Sequence, residues 1–134
     1  MSIVGIGTDI VETARLVRMQ ADHGERLAVR LLAASELAAY RVALAADGSS
    51  GAAAAAFLAR RFAAKEAAAK ALGCGIGAQA GFHDLVVDHD RAGAPLLRFA
   101  GRAARRAEDL GVRASHLSIS DERRHAIAMV ILER

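Results

Sequence analysis

Two short stretches of the chain contain side chains that could bind a divalent metal and a phosphate. The first is an apolar, strand-like run that contains the carboxylate of Asp9. The second is the alanine-rich segment 61–73, in which the carboxylate of Glu66 is accompanied by the ammonium groups of Lys65 and Lys70. Mg²⁺ prefers oxygen ligands, and it commonly takes one or two carboxylates and completes its shell with water and substrate phosphate. If the two stretches meet in space, they form a metal and phosphate site.

Each of these residues also has an ordinary structural explanation. Glu66 and Lys70 are four positions apart, so on a helix they could form an ion pair worth about 0.2–0.5 kcal/mol. Asp9 could cap a nearby helix. Two observations favour the functional interpretation. An aspartate in an apolar strand is costly to bury without a partner, and the like charges of Arg61 and Lys65, one helical turn apart, destabilise a helix unless an anion lies between them.

Lysine is rare in this chain. Of the 18 basic residues, only Lys65 and Lys70 are lysines, and both lie in the second stretch. Two residues could coincide there by chance. The functional explanation is that this position needs a compact ammonium group and not a planar guanidinium.

Apolar periodicity and turn residues predict the elements that must position these side chains. The predicted strands are Ile3–Val11, Asp84–Asp88, Pro95–Phe99, Ser115–Ser120 and His125–Leu132. The predicted helices are Glu12–Ala21, Arg26–Leu32, Glu36–Ala45, Ala52–Leu72 and Gly101–Leu110.

Local signals mark the ends of these elements. Ser35 is the expected N-cap of the third helix, and Glu36 is favourable in its first turn. The segment Asp47–Gly51 is predicted to be a loop, and Gly73 is expected to end the long helix. We therefore expect an α+β fold, with an antiparallel sheet packed around one long helix, in a single domain over residues 1–134.

The composition limits the class of protein. The 134 residues are 54% hydrophobic and 25% charged, with a net charge of +3, which suits an acidic partner or a phosphorylated ligand. Aromatic residues are only 4%, so nucleic acid is not expected as a partner. No apolar run reaches the ~20 residues that span a bilayer, and no membrane partner is expected. The N-terminus does not resemble a secretory signal, and the lone Cys74 cannot form an internal disulfide, so we expect a cytoplasmic protein.

Together, the two motifs resemble those of the holo-[acyl-carrier-protein] synthase family of 4′-phosphopantetheinyl transferases. The resemblance covers nearly the whole chain. The matching segments follow the order of the family and are Gly5–Glu12, Arg61–Ala67, Lys70–Ile76, Gly81–Val87, Gly93–Pro95 and His116–Asp121. The resemblance therefore implies a 4′-phosphopantetheinyl transferase-like fold over residues 1–134.

The resemblance also implies a reaction. Such an enzyme transfers the 4′-phosphopantetheine arm of coenzyme A to a serine of apo acyl carrier protein and releases adenosine 3′,5′-bisphosphate. By this match, Asp9 and Glu66 would hold Mg²⁺, Lys70 would contact phosphate, and Lys65 would support the same region. The expected catalytic residues are thus Glu66, Lys70 and Lys65.

Further residues are assigned to binding by the same match. Arg61, Gly73 and Gly75, with Lys70, would lie near the nucleotide. Members of this family of similar size are typically homotrimers with sites at subunit interfaces, and they serve fatty acid biosynthesis and lipid metabolism.

The match also gives a surface for the acidic carrier protein. Arg15 and Arg26, with Leu27, correspond to positions on the short helices that receive it.

One residue departs from the pattern of the family. Many relatives have a histidine where this chain has Asp121, so a base role for that histidine cannot be transferred to this chain. His116 and His125 are close in sequence, and we expect structural roles for both. Glu66, acting directly or through a metal-bound water, is the best candidate to accept the serine proton.

Two other functions are compatible with part of the sequence. A non-catalytic basic module that binds acidic carrier proteins or RNA would explain the charge but not the position of Asp9. It should bind its partner in the presence of chelator, whereas the enzyme needs Mg²⁺ or Mn²⁺ for turnover. A Mg²⁺-dependent nucleotide hydrolase is disfavoured because the glycine-rich phosphate loop with lysine and serine is missing.

Overall fold

The computed structural model describes residues 1–48 and 50–134. The strands are β1 (Ile3–Glu12), β2 (Leu85–His89), β3 (Pro95–Phe99), β4 (Ala114–Asp121) and β5 (His125–Glu133). The helices are α1 (Thr13–His23), α2 (Glu25–Leu31), α3 (Ala34–Ala46), α4 (Ala52–Ala71) and α5 (Gly101–Asp109), with a 3₁₀ turn at Phe82–Asp84. In the described part of the chain, no helix is both long enough and apolar enough to span a bilayer.

Antiparallel sheets pack around the long helix α4, which confirms the predicted α+β architecture. One sheet has the strand order β1-β5-β4, and β2 pairs with β3 in a separate hairpin. In β1, the side chains alternate between the two faces of the sheet. Ile6 and Ile10 are exposed on the outer face, whereas Val11 is buried against the core. Asp9 shares the inner face with Val11 and pairs in register with Ala128.

Two glycines bring β1 into close contact with α4. A Cβ atom added to Gly7 would collide with the backbone carbonyl of Ala67, and one added to Gly5 would collide with that of Ala71. Only glycine permits this approach of a strand to a helix backbone. The inner face of β1, including Asp9, is therefore held directly against the second half of α4.

The start of α3 differs from the prediction. The helix begins at Ala34, so Ala33 and not Ser35 takes the N-cap position, and Ser35 lies in the first turn. The carboxylate of Glu36 accepts a hydrogen bond from the backbone N–H of Ala33 at 2.9 Å. The assignment of Ser35 was wrong because a side chain within the helix satisfies the free donor at the N-terminus.

The connection between α3 and α4 lies at the predicted loop. Ser49, part of the expected loop Asp47–Gly51, lies outside the described residues. The carboxylate of Asp47 accepts hydrogen bonds from the backbone N–H groups of Ala53 at 2.7 Å and Ala54 at 2.9 Å. It thus satisfies two free donors at the start of α4, where the helix dipole also favours a negative charge.

Candidate active site

Asp9 and Lys70 form an ion pair between β1 and α4. The ammonium Nζ of Lys70 donates to Oδ1 of Asp9 at 3.0 Å and to the carbonyl oxygen of Thr8 at 3.0 Å. The Lys70 side chain is 50% exposed, so solvent and ligands can reach it. Among the described residues, Lys70 pairs with Asp9 and not with Glu66. The expected ion pair along the helix is thus replaced by a contact to the strand.

The second carboxylate oxygen of Asp9 is left without a partner. Oδ2 is buried and forms no hydrogen bond within the described residues. A buried acceptor without a partner costs about 1–3 kcal/mol, so such an atom calls for an explanation. A cation bound at this position would provide one, because a carboxylate oxygen is a good ligand for Mg²⁺.

Glu66 lies one helical turn before Lys70 and is partly buried. Burial raises its pKa above the usual value, and the negative charge of Asp9 raises it further. The charges of Lys70 and Arg15 act in the opposite direction and lower the pKa of Glu66. The two carboxylates therefore lie close enough to repel each other, a repulsion that a divalent cation would relieve.

The number of possible ligands also suits Mg²⁺. Within the described residues, no three or more histidine, cysteine, aspartate or glutamate side chains are grouped to hold a metal. Asp9 and Glu66 can supply two carboxylates at most, which is the small protein contribution that Mg²⁺ commonly has when substrate phosphate and water complete its shell. The donor set at this site therefore fits Mg²⁺.

Arg61 and Lys65 belong to a second cluster on α4, which is closed to solvent. Lys65 Nζ donates to Oε1 of Glu36 at 2.6 Å, and Arg61 Nη1 donates to Oε2 of the same carboxylate at 2.8 Å. The Lys65 side chain is 0% exposed. Burial lowers the pKa of Lys65, while the charge of Glu36 opposes this shift. The anion expected between the like charges of Arg61 and Lys65 is thus Glu36 of α3.

The sequence predicts only that Glu36 lies in the first turn of its helix. One sequence signal points further: Glu36 is four positions before Tyr40 and so shares a helical face with this aromatic residue, and the structure buries both. A glutamate on the buried stripe of a helix predicts an internal cationic partner. Its partners could not be identified from the sequence, because they lie on a different helix.

Arg61 also borders a small hollow beside the β2–β3 hairpin. The hollow has a volume of about 210 Å³, and its lining includes Arg60, Arg61, His89 and Pro95. The basic side chains make it suitable for an anionic group. Arg61 itself is 7% exposed, so only an edge of its side chain is accessible.

The turn after α4 contains the two predicted glycines. Gly73 adopts a positive φ of 73° and ends the helix as predicted. Gly75 follows in the same turn, and its backbone N–H donates to the carbonyl of Ala69 at 3.2 Å. Arg106 of α5 tethers this turn, because its Nε donates to the carbonyl of Leu72 at 3.0 Å. The turn leads directly away from Lys70.

Arg26 and Leu27 lie on α2 and line a groove of about 620 Å³ whose walls include Phe62 and Phe82. Leu27 is only 4% exposed and contributes mainly to the floor. Arg15 is exposed on α1, and its guanidinium lies 5.3 Å from the centroid of the Phe62 ring. Phe62 is one turn before Glu66 on α4, so the groove borders the part of the helix that carries this carboxylate.

The remaining polar residues singled out in the sequence form their hydrogen bonds with side chains other than Asp9 and Glu66. Asp121 accepts a hydrogen bond from Arg60 at 3.2 Å. His116 is hydrogen-bonded to Glu133 at 2.8 Å. His125 is likewise hydrogen-bonded to Glu122, at 2.9 Å. These contacts are consistent with the structural roles expected for the two histidines.

This geometry agrees with comparisons to known proteins. Residues 5–130 match the family model of the 4′-phosphopantetheinyl transferase superfamily. A protein named holo-[acyl-carrier-protein] synthase from Halorhodospira halophila is 55% identical over 97% of this chain and 97% of its own length. The chain therefore belongs to the 4′-phosphopantetheinyl transferase superfamily.

Solved structures give the same result. The crystal structure of holo-[acyl-carrier-protein] synthase from Neisseria meningitidis has a TM-score of 0.87 and 36% identity, covering 99% of this chain and 100% of that one. The structure of a Bacillus anthracis synthase in complex with coenzyme A (3′,5′-ADP) has a TM-score of 0.75 and 36% identity, covering 97% of this chain and 96% of that one. The fold of this chain is thus that of the solved synthases.

Proposed function

We propose that this protein transfers the 4′-phosphopantetheine group of coenzyme A to a serine of an apo acyl carrier protein, and that the reaction depends on Mg²⁺. Membership of the superfamily and similarity to named synthases support the transfer reaction. The observation that carries the metal assignment is the buried Oδ2 of Asp9, which has no partner among the described residues and lies near Glu66.

Asp9 and Glu66 are the residues that would hold the metal. When bound, Mg²⁺ would neutralise charge that develops on the phosphate oxygens of the substrate. The Lys70 ammonium is exposed beside Asp9, so it can bind and orient the pyrophosphate and stabilise the same charge. These residues mainly position the reacting groups, as is general in phosphoryl transfer.

The serine hydroxyl must lose its proton during the reaction. A new bond forms between the serine oxygen and the phosphorus next to the pantetheine. The bond from this phosphorus to the bridging oxygen breaks, and adenosine 3′,5′-bisphosphate leaves. Glu66 is the proposed acceptor of the proton, because its carboxylate lies close to Asp9 and Lys70, where the substrate phosphate is proposed to bind.

Coenzyme A is proposed to bind along α4, between the hollow beside Arg61 and the turn that follows the helix. The Bacillus anthracis relative is a complex with coenzyme A (3′,5′-ADP), which supports a nucleotide site in this chain. The basic hollow beside Arg61 and the turn at Gly73 and Gly75 are the surfaces proposed for it. Lys65 is fully buried, so any contribution it makes to this site must act through its neighbours.

The apo carrier protein is proposed to dock on the groove beside α2. Its apolar lining, with Leu27, Phe62 and Phe82, can receive the apolar face of a helix. Arg15 and Arg26 lie exposed near this groove and would attract an acidic partner.

We also propose a homotrimer with sites at the subunit interfaces. The outer face of the β1-β5-β4 sheet supports this assembly, because it exposes Ile6, Ile10, Ile127 and Met129. Exposed apolar patches of this kind commonly mark interaction surfaces.

We propose that the single domain of residues 1–134 acts in the cytoplasm, which the free cysteine Cys74 supports. We also propose that it modifies carrier proteins for lipid synthesis.

The decisive experiment is mass spectrometry of an apo carrier protein incubated with coenzyme A, Mg²⁺ and this protein. Fatty-acid and polyketide carriers would be tested in parallel. A gain of the phosphopantetheine mass, lost when chelator replaces Mg²⁺, is the expected result. Binding of the carrier without any mass gain would instead favour the non-catalytic docking module, and a gain that persists in chelator would refute the metal dependence.

A further inference from the structure

We propose that Glu36 is a positioning residue for the transfer reaction. Through Lys65 it holds the turn of α4 that carries Glu66. Through the same lysine it holds Phe82, which forms a wall of the groove beside α2 where the carrier protein is proposed to dock (the carrier groove). This inference rests on the proposed function. It assigns a role in the reaction to a side chain that lies on α3, away from both sequence motifs.

Both oxygens of the Glu36 carboxylate accept hydrogen bonds within the protein. One oxygen accepts from Lys65 at 2.6 Å and from the backbone of Ala33 at 2.9 Å. The other accepts from Arg61 at 2.8 Å. The exposed fractions of the Glu36, Lys65 and Arg61 side chains are 2%, 0% and 8%. Charge-assisted bonds in such a dry setting are short and directional, so they fix the side chains that they join.

The two cations extend the cluster to further elements. Lys65 Nζ also donates to the carbonyl of Phe82 at 2.9 Å, and Arg61 Nη1 donates to the carbonyl of Val87 at 2.7 Å. The cluster therefore joins α3, α4, β2 and the 3₁₀ turn at Phe82–Asp84. Glu36 is its only carboxylate within the described residues, so its loss would leave two buried cations without a counter-charge.

The position of Lys65 connects this cluster to the reaction. Lys65 immediately precedes Glu66 on α4, and the residue whose carbonyl it binds, Phe82, packs against Phe62 with ring centroids 5.9 Å apart. Phe62 and Phe82 both line the carrier groove. A shift of Lys65 would therefore displace the proposed proton acceptor and the docking surface together.

The test compares the transfer kinetics of Glu36→Gln with those of the wild type at saturating Mg²⁺. We expect kcat to fall at least ~10-fold, the scale on which misplacement of a catalytic group acts, and the KM for the carrier protein to rise in the same variant. In a double-mutant cycle, adding Lys65→Met to Glu36→Gln should lower kcat little further, because both substitutions remove the same connection.

A matched control separates positioning from general stability. Leu110→Ala removes packing against the core just after α5, and Leu110 does not line the groove. It should lower the melting temperature but leave kcat and the carrier KM at their wild-type values below the unfolding transition. If Glu36→Gln does not yield folded protein, Lys65→Met alone is measured, and it should show the combined change in kcat and carrier KM.

The outcomes distinguish this inference from the function on which it rests. Absence of transfer by the wild type would refute the proposed function. The positioning role alone would be refuted if the wild type transfers the group but folded Glu36→Gln has the kcat and carrier KM of the wild type. Where Glu36→Gln does not fold, the same result for Lys65→Met would refute it. A fall in kcat equal to that of Leu110→Ala, compared at matched stability, would also refute the positioning role, because the effect would then be one of stability only.

Discussion

The helix α4 carries two clusters of carboxylate and ammonium groups that use the same residue types in different ways. In the cluster around Glu36, both carboxylate oxygens accept hydrogen bonds and Lys65 is 0% exposed. In the cluster around Asp9, one carboxylate oxygen has no partner among the described residues, and Lys70 is 50% exposed. Lys65 and Lys70 thus lie five positions apart on one helix, but only Lys70 is accessible to solvent, and only its carboxylate partner has an oxygen without a hydrogen bond.

This difference separates a structural connection from a candidate reactive site. The cluster around Glu36 uses its charges internally, and a bound ligand could enter only by breaking it. In the cluster around Asp9, one carboxylate oxygen has no partner among the described residues, and burial, together with the negative charge of Asp9, raises the pKa of Glu66. Unsatisfied buried polar atoms and shifted pKa values concentrate at functional sites. The geometry therefore favours Lys70 over Lys65 as the lysine that contacts substrate.

The largest expected effect is the loss of either proposed metal ligand. Asp9→Ala and Glu66→Ala should each lower transfer by at least ~100-fold, the scale on which removal of one charge-stabilising group reduces kcat. Both variants should remain folded, because neither side chain belongs to the buried core. A transfer assay and circular dichroism would be measured together. Near-normal turnover of either variant at saturating Mg²⁺ would contradict the metal-site assignment.

The second prediction compares the stability of the two clusters. Glu36→Gln breaks a buried ion cluster, so we expect the free energy of unfolding to fall by about 3–5 kcal/mol. Asp9→Asn removes a half-exposed ion pair but also neutralises the unpartnered oxygen, so it should stay within ~1 kcal/mol of the wild type. Urea denaturation without metal measures both. Equal losses of the free energy of unfolding would show that the two clusters contribute equally to stability.

The third prediction concerns the size of the exposed cation. Lys70→Arg keeps the charge but introduces a planar guanidinium where the ammonium now fits between Asp9 and the carbonyl of Thr8. We expect kcat to fall by about 10-fold with the fold intact, a loss typical of a misplaced catalytic group. Kinetics identical to those of the wild type would indicate that Lys70 is only a surface partner of Asp9.

Much of the fold could be predicted from the sequence because its signals are local. Alternation located the strands, and an uninterrupted alanine-rich run located α4. Ser35 was assigned wrongly as a cap because the N-terminus of α3 is satisfied by Glu36. The capping of α4 by Asp47 was not foreseen, since it depends on how the preceding loop folds back.

The candidate site was predicted only in part, because its geometry is tertiary. Helical spacing suggested that Lys70 pairs with Glu66, but Gly5 and Gly7 bring β1 so close that Lys70 binds Asp9 instead. The like charges of Arg61 and Lys65 were interpreted as favouring a functional site, but the anion between them is Glu36 of the protein itself. This could not be predicted, because no pattern within one helix determines which residue of another helix it meets.

The smallest expected effects are those of the arginines outside both clusters. Reversal of a peripheral charge costs about 1 kcal/mol, so Arg15→Glu and Arg26→Glu should each raise the KM for the carrier protein roughly fivefold. Coenzyme A binding should change little, because such charges mainly steer association. The effect should weaken with salt, since screening acts over ~8 Å at physiological ionic strength. Arg105→Glu on α5 provides a matched control away from the groove.

Arg15 should differ from Arg26 in one respect. Its charge lowers the pKa of Glu66, so Arg15→Glu should raise that pKa further and move the acidic limb of the kcat profile to higher pH. Arg26→Glu should leave this limb unchanged. Carrier protein would be titrated against both variants at low and high salt, and kcat followed across pH. A shared pH shift would mean that Arg15 has no specific effect on Glu66, and equal losses for coenzyme A and carrier protein would indicate damage to the fold.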